Sequence, residues 1–387
     1  MMRVIVIGGL LLWHVLCLAQ GVPAEAELPL MRDVHETVVA LPVTVRDRHG
    51  AVLSAPFTVT TFRPDGDGPF PLVILNHGRA VTAEQRVLPA RQRLESAARY
   101  FVRKGFAVAV PTRLGYGQSA ALGDPEDAGS CERPQWQPAV EAGLQQLRAT
   151  FDYMRGQPWV STTSWLLVGQ SAGGFLVTAA SSRDWPGLKL AINFAGGRGG
   201  DPDRHPGVPC SPGTLQQQFA DWGKQARVPM LWLYTENDQF FGPAYSSAWA
   251  VAYRVAGGRL DFHLLPAFGS NGHTLFAAGN DLWQPLLDRL LVSSAWPQPG
   301  TLWPPPALPA GNVADSEALP LTQARVKAVD YQRFLARPLP RAFAMDGMGH
   351  WGQASGDDAM SRALALCRQR AVGECRLYAV NEQVVWR

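Results

Sequence analysis

The sequence predicts an α/β architecture: a mostly parallel central sheet with helices on both faces, followed by a small C-terminal α+β module. Three observations predict it. Short continuous apolar runs alternate with amphipathic stretches between Leu72 and Leu265. Strands covered on both faces read this way, and strand–helix–strand repeats imply parallel crossovers. One such run, Trp165-Leu166-Leu167-Val168, leads straight into Gly169-Gln170-Ser171-Ala172-Gly173 and then a small-residue helix. Last, six prolines between Trp296 and Pro309 separate this pattern from a tail of different character.

The elements follow in order. Val39, Leu41, Val43 and Val45 alternate along a first strand, and Phe57 to Phe62 forms its antiparallel partner after the Arg48-His49-Gly50 turn. Leu72 to Leu75 is a buried strand ending in Asn76-His77-Gly78-Arg79. Leu94, Ala97, Ala98, Phe101 and Val102 repeat at helical spacing, with Gly105 as the stop before the Phe106–Val110 strand. Val140, Leu144, Leu147, Phe151 and Met154 share one face of the next helix, and Pro158 ends it. Strands at Leu188–Phe194, Met230–Tyr234 and Leu260–Leu265 follow, with helices at Tyr245–Val255 and Asn280–Leu291. The domain so bounded spans 34–295. A proline-rich linker covers 296–320 and the small module 321–387. In the module Ser355-x-x-Asp358 has the form of a capping box before a helix ending near Cys367. Leu377–Val380 and Val384–Trp386 read as short strands.

Composition narrows the setting. With 47% hydrophobic and 17% charged residues among 387, the chain is globular. A formal charge of +3 points to no nucleic-acid partner. Residues 1–19 carry Arg3 and an apolar run ending in Cys17-Leu18-Ala19, the form of a secretory signal with cleavage between Ala19 and Ala26. The run is short for a membrane span, so no stable anchor is expected, and the expected location is secreted or periplasmic. Removing it leaves Cys131, Cys210, Cys367 and Cys375, an even count that fits disulfides in an exported protein. Of three connectivities the spacing suggests Cys131–Cys210 and Cys367–Cys375. None of the cysteines has metal-ligand spacing, and neither metal nor cofactor is expected.

Chemistry concentrates at strand ends. A serine hydroxyl becomes a nucleophile when a base takes its proton, so it must stand clear of the backbone on a sharp turn. Gly169 and Gly173 remove the side chains that such a turn would crowd. Ser171 follows the central strand, Asp238 follows Met230–Tyr234, and His273 follows Leu260–Leu265. In a parallel sheet these ends lie along one edge, where loops converge. Glu236 and Asp281 are rival acids, and Asp201 and Asp203 lie in a loop expected to face water. His263 sits inside a strand, His49 and His205 in turns, and His350 in the tail. Gly196-Gly197-Arg198-Gly199-Gly200 lacks the Lys-Ser/Thr of a phosphate loop and reads as a flexible connection. Substrate-binding residues are not identified. The 124–138 and 196–223 insertions shape the pocket, with Trp136 and Trp222 as lining candidates, although plain packing is the commoner role of a tryptophan.

The elbow motif, Asn76-His77-Gly78-Arg79, Arg113-x-Gly115-Tyr116-Gly117-x-Ser119, Asp238 and Gly272-His273 together resemble an α/β hydrolase. The closest likeness is to dienelactone-hydrolase-like and prolyl-oligopeptidase-like serine esterases, over Val34 to Leu291. The resemblance implies the chain order Ser171, Asp238, His273 as the catalytic triad. It also implies the backbone N–H groups of Arg79 and Ala172 as oxyanion donors, with Gly78 as the alternative position, and a structural role for the His77 ring. One departure stands out: dienelactone hydrolases proper use a cysteine nucleophile, where this chain has Ser171. The expected function is an exported serine hydrolase acting on a small-molecule carboxylic ester. A peptidase or amidase using the same triad is the enzymatic alternative, and an inactive hydrolase-fold binding protein the alternative of another class. Trp351-Gly352, the Ala-rich helix, Cys375 and Tyr378-Ala379-Val380-Asn381 resemble a small module of exported bacterial proteins, with a structural or binding role.

Overall fold

The computed structural model describes residues 30–80, 82–87, 89–294, 296, 312–319, 326–357 and 359–386. The expected signal segment 1–19, most of the 296–320 linker, and Asp358 of the expected capping box lie outside them. Among the described residues, β1 (Thr37–Arg46), β2 (Val52–Phe62), β3 (Phe70–Asn76), β4 (Ala107–Thr112), β5 (Val160–Gln170), β6 (Leu188–Phe194), β7 (Met230–Thr235) and β8 (Leu260–Leu265) form one sheet. Its order is β1-β2-β4-β3-β5-β6-β7-β8. β1, β2 and β4 pair antiparallel, and β4, β3 and β5 through β8 pair parallel. This is the mostly parallel α/β sheet expected from the apolar runs, in the α/β-hydrolase arrangement that the resemblance implies.

Alternation along the central strands decides which helix packs where. Leu72 and Ile74 face one core while Val73 and Leu75 face the other. The first core receives α2 (Trp136–Arg155), α3 (Ala172–Ser181), α4 (Pro212–Lys224) and α5 (Pro243–Val255). The second receives α1 (Glu95–Arg103), α6 (Leu275–Ala278) and α7 (Asn280–Ser293). The sheet centre and the inner faces of both helix layers are therefore buried, and each fully buried Leu, Ile or Phe contributes about 1.5–3 kcal/mol. Helix α4 lies in the 196–223 insertion, beyond its Gly- and Pro-rich loop, where no element was assigned. Leu215, Phe219 and Trp222, at i, i+4 and i+7, are its buried face. Trp136 and Trp222 pack against Phe175 with ring centroids 6.0 and 4.6 Å apart, which is the plain packing role.

The C-terminal module has its own four-stranded sheet, ordered β10-β9-β11-β12. The strands are β9 (Arg341–Met345), β10 (Trp351–Ser355), β11 (Arg376–Val380) and β12 (Gln383–Val384). One face carries Phe343, Tyr378 and Val384 against α8 (Tyr331–Leu335). The other carries Ala342, Ala344 and Ala354 against α9 (Ala359–Arg368). β9 and β10 are strands the sequence did not announce. Their small residues are what let α9 approach: a Cβ on Gly352 would lie 2.3 Å from the Ala363 carbonyl oxygen.

Both expected disulfides are formed, Cys131–Cys210 across 79 positions and Cys367–Cys375 across 8. Loop-closure entropy assigns the longer about 4–5 kcal/mol and the shorter about 2–3 kcal/mol. No helix among the described residues is long and apolar enough to cross a membrane.

Candidate active site

Ser171 connects β5 to α3 and has φ 56° and ψ −121°. A non-glycine residue with positive φ is strained, and such strain is held only where the surroundings impose it. Here they do. The Ser171 N–H donates to the Phe194 carbonyl at 2.9 Å, and the Ser171 carbonyl accepts from Gly197 at 3.2 Å and Phe175 at 2.9 Å. A Cβ on Gly169 would lie 2.2 Å from the Gly173 carbonyl oxygen, and one on Gly173 would lie 2.2 Å from that of Asn76. No larger residue fits either place without moving backbone.

Asp238 and His273 come together from the ends of β7 and β8. His273 Nδ1 lies 3.0 and 3.1 Å from the two carboxylate oxygens of Asp238. The same carboxylate accepts from the Phe240 and Phe241 N–H groups at 2.8 and 3.0 Å. Its side chain is fully buried. Three donors, the His273 ring N–H and two backbone N–H groups, satisfy the buried carboxylate and fix its position. The imidazole stacks on Phe240 with centroids 4.1 Å apart and meets the edge of Phe241. With Nδ1–H given to Asp238, Nε2 carries the lone pair and is free to act as a base. No hydrogen bond joins Ser171 Oγ to His273 among the described residues. Such contacts commonly tighten only when a substrate is bound.

Two asparagines fasten these loops. Asn271 Oδ1 accepts from the His273 and Gln239 N–H groups at 3.0 and 3.1 Å. The Asn237 amide donates to the Phe268 and Gly269 carbonyls and accepts from the Phe268 N–H. The rivals stand elsewhere. Glu236 and Asp281 are exposed, His263 pairs with Asp261 on the sheet margin, and His350 pairs with Asp346 in the module.

The two N–H positions implied by resemblance flank Ser171: Arg79 on the loop after β3 and Ala172 at the start of α3. The backbone N–H groups of Arg79 and Ala172 donate to no acceptor among the described residues. The Arg79 guanidinium is turned away and held by Asp124 at 2.6 and 2.9 Å. The His77 ring braces the loop: Nδ1 lies 2.7 Å from the Gly78 carbonyl oxygen, and Nε2 accepts from the Arg113 N–H at 3.1 Å. Burial, and then the Arg113 charge, push the His77 pKa well below its ordinary value. The ring therefore stays neutral and serves as donor on one side and acceptor on the other.

A buried charge cluster beneath this loop escaped the sequence reading. Glu126 accepts from Arg113 Nε at 2.6 Å and from Arg198 Nη2 at 2.7 Å, and its carbonyl accepts from Arg198 Nη1 at 2.8 Å. All three residues are at most 4% exposed. Arg198 belongs to the Gly-rich stretch expected to be flexible. That expectation is corrected: Arg198, the Gly197 N–H bond to Ser171 and the Cys131–Cys210 bridge all tie it down. A partial signal was the spacing of Arg113 and Arg198 just past two strand ends, where charged residues are placed by function or by pairing rather than by solvation.

The model for the dienelactone hydrolase family matches residues 87–281 of the 387. No curated protein matches the chain. Among solved structures, an acylaminoacyl peptidase of Pyrococcus horikoshii is similar at 11% identity and a TM-score of 0.45. That similarity covers 66% of this chain and 41% of the peptidase, so the chain spans less than half of that protein's length. An esterase of Pyrococcus furiosus shows 10% identity and a TM-score of 0.43, covering 66% and 90% of the two chains. An acetyl xylan esterase of Paenibacillus shows 15% identity and a TM-score of 0.44, covering 67% and 89%.

Proposed function

Since the chain belongs to the dienelactone hydrolase family and is a hydrolase, we propose that it cleaves a carboxylic ester through an acyl-enzyme formed on Ser171. The observation that carries this reading is the conformation of Ser171, strained to positive φ at the end of β5, with the Asp238–His273 pair at the ends of the neighbouring parallel strands. His273 Nε2 takes the Ser171 proton as Oγ attacks the ester carbonyl. Asp238 holds the tautomer and stabilises the imidazolium that forms. The carbonyl oxygen becomes an oxyanion between the Arg79 and Ala172 N–H groups, which are fixed in advance and reorganise little. Collapse expels the alkoxide, which takes its proton from His273. Water then repeats the sequence and releases the acid.

The two disulfides support work outside the reducing cytosol, in the periplasm or beyond the cell, with residues 1–19 as the signal that directs export. The test is covalent. A fluorophosphonate probe should label the folded protein at Ser171 and nowhere else, with loss of p-nitrophenyl acetate turnover in proportion to labelling. Stoichiometric turnover without labelling at Ser171, or labelling of another residue, sinks the assignment.

A further inference from the structure

A polar cavity of about 180 Å³ lies against the elbow, lined by His77, Gly78, Leu94, Tyr116, Gln170 and Asp357 among others. Gly78 and Gln170 place it beside the nucleophile: a Cβ on Gly78 would lie 3.1 Å from Ser171 Cβ. Its volume is about that of six waters, the size of a short substituent. None of Phe240, Phe241 and His273 lines it. The leaving group must reach His273 to be protonated, so this cavity, on the side of the His77–Gly78 loop, receives the acyl part.

Asp357 comes from the C-terminal module, in the turn between β10 and α9. The module is docked by Met360, which packs against the second core of the large sheet. Met360 Sδ also lies 4.0 Å from Nη2 of Arg99 on α1. The Asp357 carboxylate has no hydrogen-bond or salt-bridge partner among the described residues. Its neighbour Arg362 is engaged with the Ser355 and Asp357 carbonyls instead. Asp357 is half-buried. Among the described residues, Oη of Tyr116, a lining residue only 3% exposed, has no hydrogen-bond partner, and neither has Oε2 of buried Glu95, next in sequence to the lining residue Leu94. Burial and the nearby Glu95 raise the Asp357 carboxyl to about 6, so near neutrality it is an ionised acceptor. A half-buried carboxylate at a cavity wall gains from a donor that pairs with it, and an alkyl group of equal size supplies none.

We propose that the C-terminal module completes the acyl subsite, Asp357 selecting esters whose acyl part carries a hydrogen-bond donor, hydroxyl or ammonium, over alkyl esters of the same length. This rests on Ser171 being the ester-cleaving nucleophile. The test compares kcat/KM for p-nitrophenyl propionate, 3-hydroxypropionate and β-alaninate with the full-length protein. The expected wild-type preference for a donor-bearing ester over propionate is at least about tenfold, the value of one hydrogen bond to a charged group. Asp357→Ala should bring the ratio close to one. Asp357→Asn separates the two donors: its amide oxygen still accepts from a hydroxyl but cannot neutralise an ammonium. Tyr116→Phe, which removes one oxygen from a lining residue, gives a second reading of the ratio should the Asp357 variants misfold. Turnover of all three esters without preference, or a preference unchanged in both Asp357→Ala and Tyr116→Phe, overturns the inference and leaves the nucleophile standing. Turnover of none overturns both.

Discussion

The molecule contains two Asp–His pairs of nearly the same make. Asp238 holds His273 Nδ1 at 3.0 Å and two backbone N–H groups. Asp346 holds His350 Nδ1 at 2.7 Å and the N–H groups of Met348, His350 and Gly373. Both carboxylates are fully buried at the side chain. The surroundings differ. Asp238 and His273 stand 35 positions apart and meet because parallel strands end along one edge, beside a strained serine and two uncommitted N–H donors. Asp346 and His350 are four positions apart and close the turn between β9 and β10, with the His350 side chain 34% exposed. A carboxylate–imidazole pair is therefore an ordinary structural fastening. On the proposed function, what sets the Asp238–His273 pair apart is that the topology also brings Ser171 and two uncommitted N–H groups to the same edge.

The largest effects should separate the pairs by activity. His273→Ala and Ser171→Ala are expected to lower kcat for p-nitrophenyl acetate by about 10⁴–10⁶-fold, and Asp238→Asn by about 10⁴-fold. His350→Ala should leave kcat/KM within about twofold. An equal loss from His350→Ala and His273→Ala, with circular dichroism unchanged, would erase the distinction.

Next in size is the charge cluster that holds the His77–Gly78 loop and the stretch around Arg198. Glu126→Ala strands two buried guanidinium groups, and removing one partner of such a cluster destabilises by about 3–5 kcal/mol. Urea unfolding should show a loss of stability of that size, read as a lower midpoint at unchanged m, with activity falling in step with the folded fraction. An unchanged midpoint would mean that the arginines find other partners.

The smallest effect sharpens the structural side of the comparison. Burial raises the Asp346 carboxyl, but the hydrogen bonds from His350, Met348 and Gly373 outweigh it and hold the pKa below its ordinary value. A carboxyl depressed on folding lends stability that is present above its unfolded pKa, about 3.9, and lost as pH falls towards the folded value. Melting temperatures of the wild type and Asp346→Asn should differ by a few degrees at pH 7, and the difference should begin to shrink only as the pH falls below about 4, continuing below pH 3. A difference that grows in acid reverses the sign and the explanation.

The large sheet was legible because its strands are buried on both faces. Continuous runs such as Leu72–Leu75 and Trp165–Val168 have no polar alternation to confuse them with a surface strand. Ser171, Asp238 and His273 were legible for the same reason, since each stands a few residues beyond such a run. The module's β9 and β10 were not. Arg341-Ala-Phe-Ala-Met345 and Trp351-Gly-Gln-Ala-Ser355 have the composition of neither a strand nor a helix, and only the close approach of α9 explains their small residues. Arg113, Glu126 and Arg198 were missed because the charges that bury them lie 13 and 72 positions away. Asp357 gave no signal in sequence at all, since its place in the cavity depends on how the module docks.

The turn at Ser171 specifies a place and is silent about the atom that fills it. Its geometry is set by backbone, through Gly169, Gly173 and the bonds to Phe194 and Gly197. Any side chain with a single unbranched γ atom can ride the same Cβ, whereas a threonine would add a methyl group next to the Gly78 backbone. Serine and cysteine would therefore fit the same support, and the turn alone does not choose between them.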